Sequence, residues 1–277
     1  MKRALVAAAL ACVLFGCGDE ADGDAGSGAG SPASANSAAA SGASSSGAGS
    51  TGSTVSASSA SSSSSSGGLP AYASFHLNYT QDIDFSKCAE RDFVVLDMAE
   101  TPAASIARCE SMGARLLCYL SSQYEEWRDD ASSFGALEGP LDGWPGEFWV
   151  DPNDPQNLAV LVARLDVAVE KGCDGIDLDN IDRDGHEAYI QAIFDEARAR
   201  GLLVSQKNAI EKIELFWDKV DLYQNEECQA YDECQAYEGL GRPVHNIEYE
   251  PCQTIPYLYS HRKDVQAMDA WEEPCAP

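Results

Sequence analysis

The stretch GCDGIDLDNID, residues 172–182, places acidic side chains inside an apolar strand pattern. Ile176 and Leu178 alternate with Asp177 and Asp179, and because successive side chains of a strand point to opposite faces, the two aspartates share one face. Burying a carboxylate is costly unless it is paired, hydrogen-bonded or used in chemistry. Since barrel enzymes place their catalytic groups at the carboxyl ends of parallel strands, the pattern predicts a functional strand with Asp179 and Asn180 at its carboxyl end.

Similar strand patterns recur along the chain and alternate with helix patterns. The predicted strands are Phe75–Tyr79, Phe93–Met98, Arg115–Ser121, Gly175–Asn180, Leu202–Asn208, Val220–Glu226, Pro243–Tyr249 and Val265–Ala270. Several are continuous apolar runs, which is typical of parallel strands covered on both faces. Eight such strands separated by helices predict an α/β fold, a (β/α)8 barrel of the TIM type. An open doubly wound sheet is the alternative, but no glycine-rich dinucleotide or phosphate motif supports it.

Three of the intervening helices have recognisable ends. Thr101 is expected to cap a helix that ends before Gly113. A second helix is expected over residues 154–172, since an Asp-Pro pair begins it and a glycine terminates it. A third is expected over residues 185–200, with its apolar residues spaced to form one inward face.

The amino-terminal segment has the composition of a secretion signal. Lys2 and Arg3 precede an apolar run that is too short to span a bilayer. The sequence LFGC at residues 14–17 has the form of a lipoprotein cleavage box, so residues 1–17 are predicted to be a signal peptide with Cys17 lipidated. An ordinary cleaved signal peptide is the alternative. In either case we expect an extracytoplasmic protein, anchored in a membrane at the cell envelope or surface, or secreted.

The segment after the signal peptide has a different composition from the rest of the chain. Residues 18–70 are almost entirely Ser, Gly and Ala. Such a segment buries too little apolar surface to offset the entropy of ordering it, so we expect a disordered tether. Residues 71–277 are enough for one domain with its own core, and we expect this domain to be monomeric.

The charge of the chain is strongly negative. It has 18 basic and 45 acidic residues and a net charge of −27, so loss of Lys2 and Arg3 would leave −29. Such a surface repels nucleic acid and attracts a cationic substrate or partner.

The folded domain contains eight cysteines, an even number that favours disulfides in an exported protein. Local spacing favours Cys88–Cys109, Cys228–Cys234 and Cys252–Cys275. Cys118 and Cys173 lie in apolar strand-like runs and form either a fourth bridge or two buried thiols. Because no C-x-x-C pair, EF-hand loop or metal-like histidine spacing is present, no metal or other cofactor is expected.

Polar residues stand at the ends of the other predicted strands as well. Asp97 ends the second, Lys207 the fifth, Glu226 the sixth and Tyr249 the seventh. Because the carboxyl ends of barrel strands form one face, these residues are expected to line a common cleft. Two opposed carboxyl groups can hydrolyse a glycosidic bond. A lysine that merely pairs with an aspartate is the structural alternative for Lys207, and the absence of a G-x-S-x-G motif disfavours a serine hydrolase.

Six segments, in order, resemble glycoside hydrolase family 114, the endo-α-1,4-polygalactosaminidases. They are CYLSSQYEEWRDD (118–130), LDGWPGEFWVD (141–151), GCDGIDLDNID (172–182), SQKN (205–208), NEECQAYDEC (225–234) and PVHNIEYE (243–250). The resemblance spans residues 72–270 and implies a (β/α)8 barrel that cuts α-1,4-linked galactosamine polymers, which carry positive charge on their free amines. Gln123 and Leu178 depart from the glycine and proline that are frequent in the family, which makes substrate preference less secure than the fold.

The resemblance also implies roles for individual residues. The catalytic aspartate falls on Asp179, as the nucleophile of a retaining mechanism, and the catalytic glutamate falls on Glu226, as the acid/base. Asp177 and Glu227 are the alternatives for these two roles. The residues expected to bind substrate or brace the cleft are Asp177, Asn180, Lys207, Glu125, Arg128, Glu147, Trp149, Asn225 and Tyr249.

Two other functions remain open from the sequence. The first is a related hydrolase of N-acetylated α-1,4-galactosaminoglycan in a biofilm matrix. The second is a surface barrel that binds such glycans without cleaving them. The expected partner in each case is a cationic or partly acetylated galactosamine polysaccharide.

Overall fold

A computed structural model describes residues 69–277 of the chain. The predicted signal peptide, the lipidation of Cys17 and nearly all of the predicted tether lie outside these residues. Within residues 69–277, no helix has the length and apolar character needed to cross a membrane.

The described residues form a curled parallel sheet with helices around it. In chain order the strands are β1 Phe75–Asn78, β2 Phe93–Asp97, β3 Arg115–Ser121, β4 Tyr124–Glu125, β5 Leu137–Pro140, β6 Glu147–Val150, β7 Gly175–Asp179, β8 Leu203–Lys207, β9 Leu222–Glu226, β10 Val244–Glu248, β11 Tyr259–Arg262 and β12 Glu273–Pro274. The order of hydrogen-bonded neighbours is β1-β2-β3-β7-β8-β9-β10-β11-β12. The first eight are parallel to one another, and β12 runs antiparallel to β11. The predicted α/β fold of the TIM-barrel type is confirmed.

Five α-helices lie between these strands. They are α1 Phe85–Glu90, α2 Ala103–Glu110, α3 Pro155–Lys171, α4 Glu187–Ala199 and α5 Ile213–Phe216. The ends of α3 agree with the sequence pattern, because the Asp154 side chain accepts from the backbone N–H of Gln156 and Gly172 takes a left-handed conformation (φ 87°). The prediction that Thr101 caps α2 is wrong. Pro102 occupies the cap position with no side-chain hydrogen bond, and the Thr101 hydroxyl is buried without a partner among the described residues.

Alternation along the strands separates two apolar clusters. Ile176 and Leu178 of β7 belong to the cluster between the sheet and the helices. A second cluster, which includes Phe75, Leu117 and Ile247, lies inside the barrel. On β7 the interior positions are those of the two aspartates, so the acidic face of this strand points into the barrel as its pattern predicted.

The eighth strand is not where the sequence placed it. β11 is formed by Tyr259–Arg262, whereas residues 265–270 form turns after it. The strand pattern misses β11 because its sequence YSHR lacks an apolar run. Beside β1, the ring of His261 lies 4.5 Å from that of Phe75, and Lys263 Nζ donates to the Leu77 carbonyl at 2.8 Å.

A second, three-stranded sheet with the order β4-β6-β5 lies between β3 and α3 in the chain. It is antiparallel, and its register places Glu125 directly opposite Glu147. This small sheet therefore brings the two acids together at the carboxyl end of β3.

All four disulfides are present. Three are the pairs that local spacing favoured, Cys88–Cys109, Cys228–Cys234 and Cys252–Cys275. The fourth joins Cys118 in β3 to Cys173, just before β7, and settles the question between a bridge and two thiols. Four disulfides are typical of proteins that fold in an oxidising compartment.

Candidate active site

Lys207 bridges the two acids that the sequence singled out as catalytic. Its Nζ atom lies 2.7 Å from Asp179 Oδ2 and 2.8 Å from Glu226 Oε2. The three residues end β7, β8 and β9, which are successive neighbours in the sheet, so the lysine stands on the strand between the acids. Although burial alone would lower the pKa of Lys207, the two adjacent carboxylates raise this pKa well above its ordinary value.

The shared nitrogen atom limits the separation of the acids. Since both oxygens contact the same Nζ, the nearer oxygens of Asp179 and Glu226 are at most about 5.5 Å apart. Retaining glycosidases hold their two carboxyl groups about 5–5.5 Å apart, whereas inverting enzymes need about 6.5–9.5 Å for a water molecule. The upper limit of about 5.5 Å on the nearer oxygens is below the separation of an inverting pair.

Each acid has further hydrogen-bond donors. Asp179 accepts from the hydroxyl of Tyr119 at 3.0 Å and from the backbone N–H of Asn180 at 2.8 Å. Glu226 accepts from the hydroxyl of Tyr249 at 2.6 Å and from the amide of Asn208 at 3.1 Å. Burial opposes ionisation of Glu226, but Lys207 and these two hydrogen bonds lower its pKa below the ordinary value.

A residue with left-handed backbone follows each of the three functional strand ends. These residues are Asn180 (φ 59°), Asn208 (φ 55°) and Glu227 (φ 63°). Residues other than glycine rarely adopt this conformation, although asparagine tolerates it best. The turn at Asn208 lets its side-chain oxygen accept from the backbone N–H of Glu226 at 2.8 Å, so one amide holds both the backbone and the carboxylate of the acid.

Four residues of the site were missed or given no role by the sequence reasoning. They are Tyr79, Tyr119, Asn208 and Gln224. The rings of Tyr79 and Tyr119 lie 4.2 Å apart at the ends of β1 and β3, and the Gln224 amide approaches the Tyr79 hydroxyl at 3.5 Å. Their positions near the strand ends could have indicated from the sequence that they lie at the site. Only the contacts in the structure assign them to it.

Asp177 lies one layer below Asp179, inside the barrel. Its side chain is fully buried, and neither oxygen forms a well-aligned hydrogen bond with a described residue. Burial raises the pKa of Asp177 to about 7, against the effects of the neighbouring Ser205 hydroxyl and of Lys207. Because Asp177 has no surface for a substrate to contact, its predicted role in substrate binding is corrected.

The pair of Glu125 and Glu147 forms a second acidic group at the mouth of the barrel. Directly opposed like charges destabilise a strand pair. Of the two acids, Glu125 is the one that forms ion pairs with described residues, Arg128 at 3.0 Å and Arg164 at 3.5 Å. Glu147 accepts only a long contact of 3.5 Å from the Asn180 amide. Burial, then the carboxylates of Glu125 and Asp179, raise the pKa of Glu147 to about 8, which favours the protonated form of this side chain.

Arg128 braces this region rather than reaching freely into the cleft. Its two terminal nitrogens bind the two oxygens of Asp97 at 3.1 and 2.9 Å, a bidentate pair. The same guanidinium also binds Glu125, and so it connects the end of β2 to β4. This network fixes the small sheet against the barrel.

The remaining predicted residues fall on both sides of the barrel wall. Trp149 is half-buried, with its ring 5.0 Å from the guanidinium carbon of Arg183 and 5.8 Å from the ring of His186. Asn225 is buried and donates to the hydroxyl of Tyr237 at 3.0 Å, in the layer outside the sheet. The predicted substrate contact of Asn225 is therefore corrected, because it alternates with Glu226 along β9.

Glu227, the alternative acid, forms no ion pair with Lys207. It follows β9 in a left-handed conformation, and its backbone N–H donates to the Ile247 carbonyl at 2.7 Å. Burial and the carboxylates of Glu248, Glu226 and Glu250 raise its pKa. The structure thus brings Glu226, and not Glu227, to Lys207 and Asp179.

One group of described residues has the spacing of a metal site. Ligand atoms of Cys228, Cys234 and Glu248 lie within 4.8 Å of one another. Both sulfur atoms belong to the Cys228–Cys234 disulfide, so neither is a thiolate that could bind a metal.

A parallel barrel with two carboxyl groups closely opposed at its strand ends is the arrangement of a glycosidase site. The chain belongs to glycoside-hydrolase family GH114, whose family model matches residues 54–275.

The chain is also similar to individual known proteins. The structure is similar to Aspergillus fumigatus Ega3 in complex with galactosamine, with 27% sequence identity, a TM-score of 0.65, and coverage of 73% of this chain and 94% of that chain. The glycoside hydrolase domain of PelA from Pseudomonas aeruginosa has the same fold, with 15% identity, a TM-score of 0.57, and coverage of 74% and 99%. A protein of Deinococcus radiodurans is 29% identical over an alignment of 187 residues, and the match covers 53% of this chain and 60% of that relative's length.

Proposed function

We propose that the folded domain is an endo-acting glycoside hydrolase that cleaves α-1,4-linked galactosamine-containing polysaccharide, with Asp179 as nucleophile and Glu226 as acid/base. The observation that supports this most directly is the shared contact of both acids with Lys207 at 2.7 and 2.8 Å. This contact keeps the nearer carboxyl oxygens within about 5.5 Å of each other, which is compatible with a retaining mechanism.

In the first step an Asp179 oxygen attacks the anomeric carbon of the sugar. The glycosidic C–O bond breaks, and the leaving oxygen takes a proton from Glu226. In the second step Glu226 removes a proton from water, whose oxygen displaces Asp179 from the anomeric carbon. The hydrogen bonds from Tyr119 and Asn180 orient the Asp179 carboxyl group for this attack.

Glu226 must carry a proton before the first step. In the unliganded site Lys207 holds it as a carboxylate, since the lysine is the largest favourable influence on its pKa. A sugar ring that enters between the acids would separate Lys207 from Glu226 and so allow protonation. The lysine would remain beside Asp179 and stabilise its charge.

Two observations support a galactosamine polymer as the substrate. The chain has a net charge of −27, which attracts a polycation, and the similar structure of Ega3 was solved with galactosamine. We propose that free amines of the substrate supply this positive charge. We further propose that the protein acts as a monomer outside the cytoplasm, held by a lipid at Cys17.

The test is a reducing-end assay with purified domain on galactosamine polymers that differ only in amine acetylation. Wild type should release short oligomers from the deacetylated polymer, and Asp179→Asn should abolish release. Equal activity of the Asn variant would overturn the assignment. Cleavage that depends on acetyl groups and is insensitive to salt would indicate the N-acetylated polymer instead, and binding without release would indicate a glycan-binding barrel.

A further inference from the structure

A groove of about 740 Å³ begins at Tyr249 and lies along the segment after β11. This volume falls within the range of about 300–1,000 Å³ for ligand-binding pockets. Tyr249 also donates to Glu226 at 2.6 Å, so the groove starts at a residue that touches the acid/base. A chain bound across the two acids would reach the groove directly beyond Tyr249.

The far wall of the groove carries Trp271, whose side chain is 43% exposed. Its backbone is fixed on both sides. The N–H donates to Asp269 Oδ1 at 2.9 Å and the carbonyl accepts from Lys263 Nζ at 2.6 Å. Lys263 is buried and also holds the carbonyls of Leu77 and Asp269. An exposed indole on a rigid backbone loses little entropy when a ligand stacks on it.

Neighbouring contacts hold the same segment in place. Glu272 receives His76 at 2.6 Å, Arg91 at 2.5 Å and Lys87 at 3.0 Å. His76 of β1, Lys87 of α1 and Arg91, which directly follows α1, thus hold the residue after Trp271 in place. The Cys252–Cys275 disulfide closes the other end of the segment.

The charges along the groove fit a ligand with amino groups. Arg262 is paired with Glu273 and packs 5.4 Å from the Trp271 ring, so its charge is compensated. Asp264 and Asp269 each use Oδ1 to accept backbone N–H groups of the turn, and Oδ2 of each accepts no hydrogen bond from a described residue. These two oxygens are available to an ammonium group.

We propose that this groove, from Tyr249 to Trp271, is a separate sugar subsite that binds the stretch of polysaccharide next to the cleaved bond, with Trp271 as its stacking platform. The proposal rests on the proposed function for the direction of the bound chain. The ligand is a short run of hexosamine units. Their C–H faces stack on the indole, and their amines approach Asp264 and Asp269.

The test compares Trp271→Ala with Trp217→Ala. Trp217 is a matched control because it is 41% exposed and packs on an arginine, Arg242, at 3.7 Å, near the amino-terminal ends of β9 and β10. On galactosamine oligomers of increasing length, Trp271→Ala should lower kcat/KM by about tenfold for long substrates and leave the shortest cleaved oligomer unchanged. Trp271→Phe should restore most of the loss, and Trp217→Ala should match wild type.

A binding measurement separates this proposal from the proposed function. In an Asp179→Asn background, calorimetry with the same oligomers should show about tenfold weaker binding when Trp271 is replaced by alanine. Asp264→Asn keeps the turn acceptor and should weaken binding only of free-amine oligomers. If Trp271→Ala weakened the binding of oligomers of every length, or of no length, the proposed subsite would be wrong. Binding that depends on Trp271 without cleavage by the wild type would uphold the subsite and reject the hydrolase.

Discussion

The Tyr249 hydroxyl donates to Glu226 Oε1 at 2.6 Å, although the two residues come from different strand ends. Tyr249 follows β10 and Glu226 ends β9, and the two strands are hydrogen-bonded neighbours. The contact favours the ionised form of Glu226 and places a phenol at the start of the Trp271 groove. Tyr249 therefore contacts both the proposed acid/base, Glu226, and the groove that is proposed to bind the neighbouring sugar units.

Replacing Tyr249 by phenylalanine should change the pH profile. Loss of a donor to the ionised form raises the pKa of Glu226. Because the first step needs protonated Glu226, the alkaline limb of kcat/KM should move upward by about one pH unit, since a hydrogen bond to a charged group contributes about 1.5–3 kcal/mol. Hydrolysis rates measured across pH would show this, and an unchanged alkaline limb would contradict the acid role of Glu226.

Replacing Lys207 by methionine should remove most activity. Without the lysine, the two carboxylates repel each other and the pKa of Glu226 rises, so Asp179 and Glu226 no longer hold their relative positions. We expect kcat to fall at least about a hundredfold. Lys212→Met is the control, since Lys212 is also buried and binds two acids, Glu187 at 2.6 Å and Asp184 at 3.4 Å, outside the site. Equal losses in both variants would point to a stability effect.

The buried acids Asp177 and Glu147 should make stability fall as pH rises. Their pKa values in the folded protein, about 7 and about 8, exceed their ordinary values. Between the ordinary and the raised value the folded state binds more protons than the unfolded state, so the free energy of unfolding decreases through this window. Asp177→Asn and Glu147→Gln should each flatten the fall of Tm between about pH 4 and pH 8. Glu211→Gln, at an exposed position, is the control and should leave the dependence of Tm on pH unchanged. If Tm still fell steeply with pH in both Asp177→Asn and Glu147→Gln, the raised pKa values of these two acids would be refuted.

Arg128→Met should be strongly destabilising. It removes the bidentate partner of the buried Asp97 and leaves Glu125 with only the longer contact to Arg164 at 3.5 Å. Loss of one partner of a buried pair costs about 3–5 kcal/mol. Arg198→Met is the control. Arg198 pairs with Asp221 at 3.0 Å, but its side chain is 42% exposed, and exposed ion pairs contribute only about 0–1 kcal/mol. Urea denaturation should separate the two variants, and similar midpoints would argue against the bracing role of Arg128.

Two disulfides should have different consequences when both cysteines become alanine. Cys118–Cys173 spans 55 residues, so its loss should lower the free energy of unfolding by about 2–4 kcal/mol with kcat retained. Cys228–Cys234 spans only 6 residues but holds the loop directly after Glu226, and its loss should reduce activity more than stability. Measurements of Tm and of kcat on both double variants test this. A larger loss of activity without Cys118–Cys173, together with a larger loss of stability without Cys228–Cys234, would contradict it.

Much of the barrel could be predicted from sequence because its causes are local. Asp154, Pro155 and Gly172 define the ends of α3 through their own backbone preferences. By contrast, Tyr259–Arg262 has no strand pattern, and it forms β11 because the edge of β10 offers it hydrogen bonds. Thr101 shows the opposite error, since a good capping residue is not used where the chain enters the helix one residue later.

The sequence alone determined that alternating aspartates on one strand would face the barrel interior, because side-chain direction has a period of two. It could not determine which of them would reach the opening. Only the tertiary structure decided that Asp179 meets Lys207 and Glu226 while Asp177 is sealed below, and that Glu125 lies opposite Glu147. These contacts join residues far apart in the chain, and they depend on strand register and sheet curvature, which no local propensity encodes.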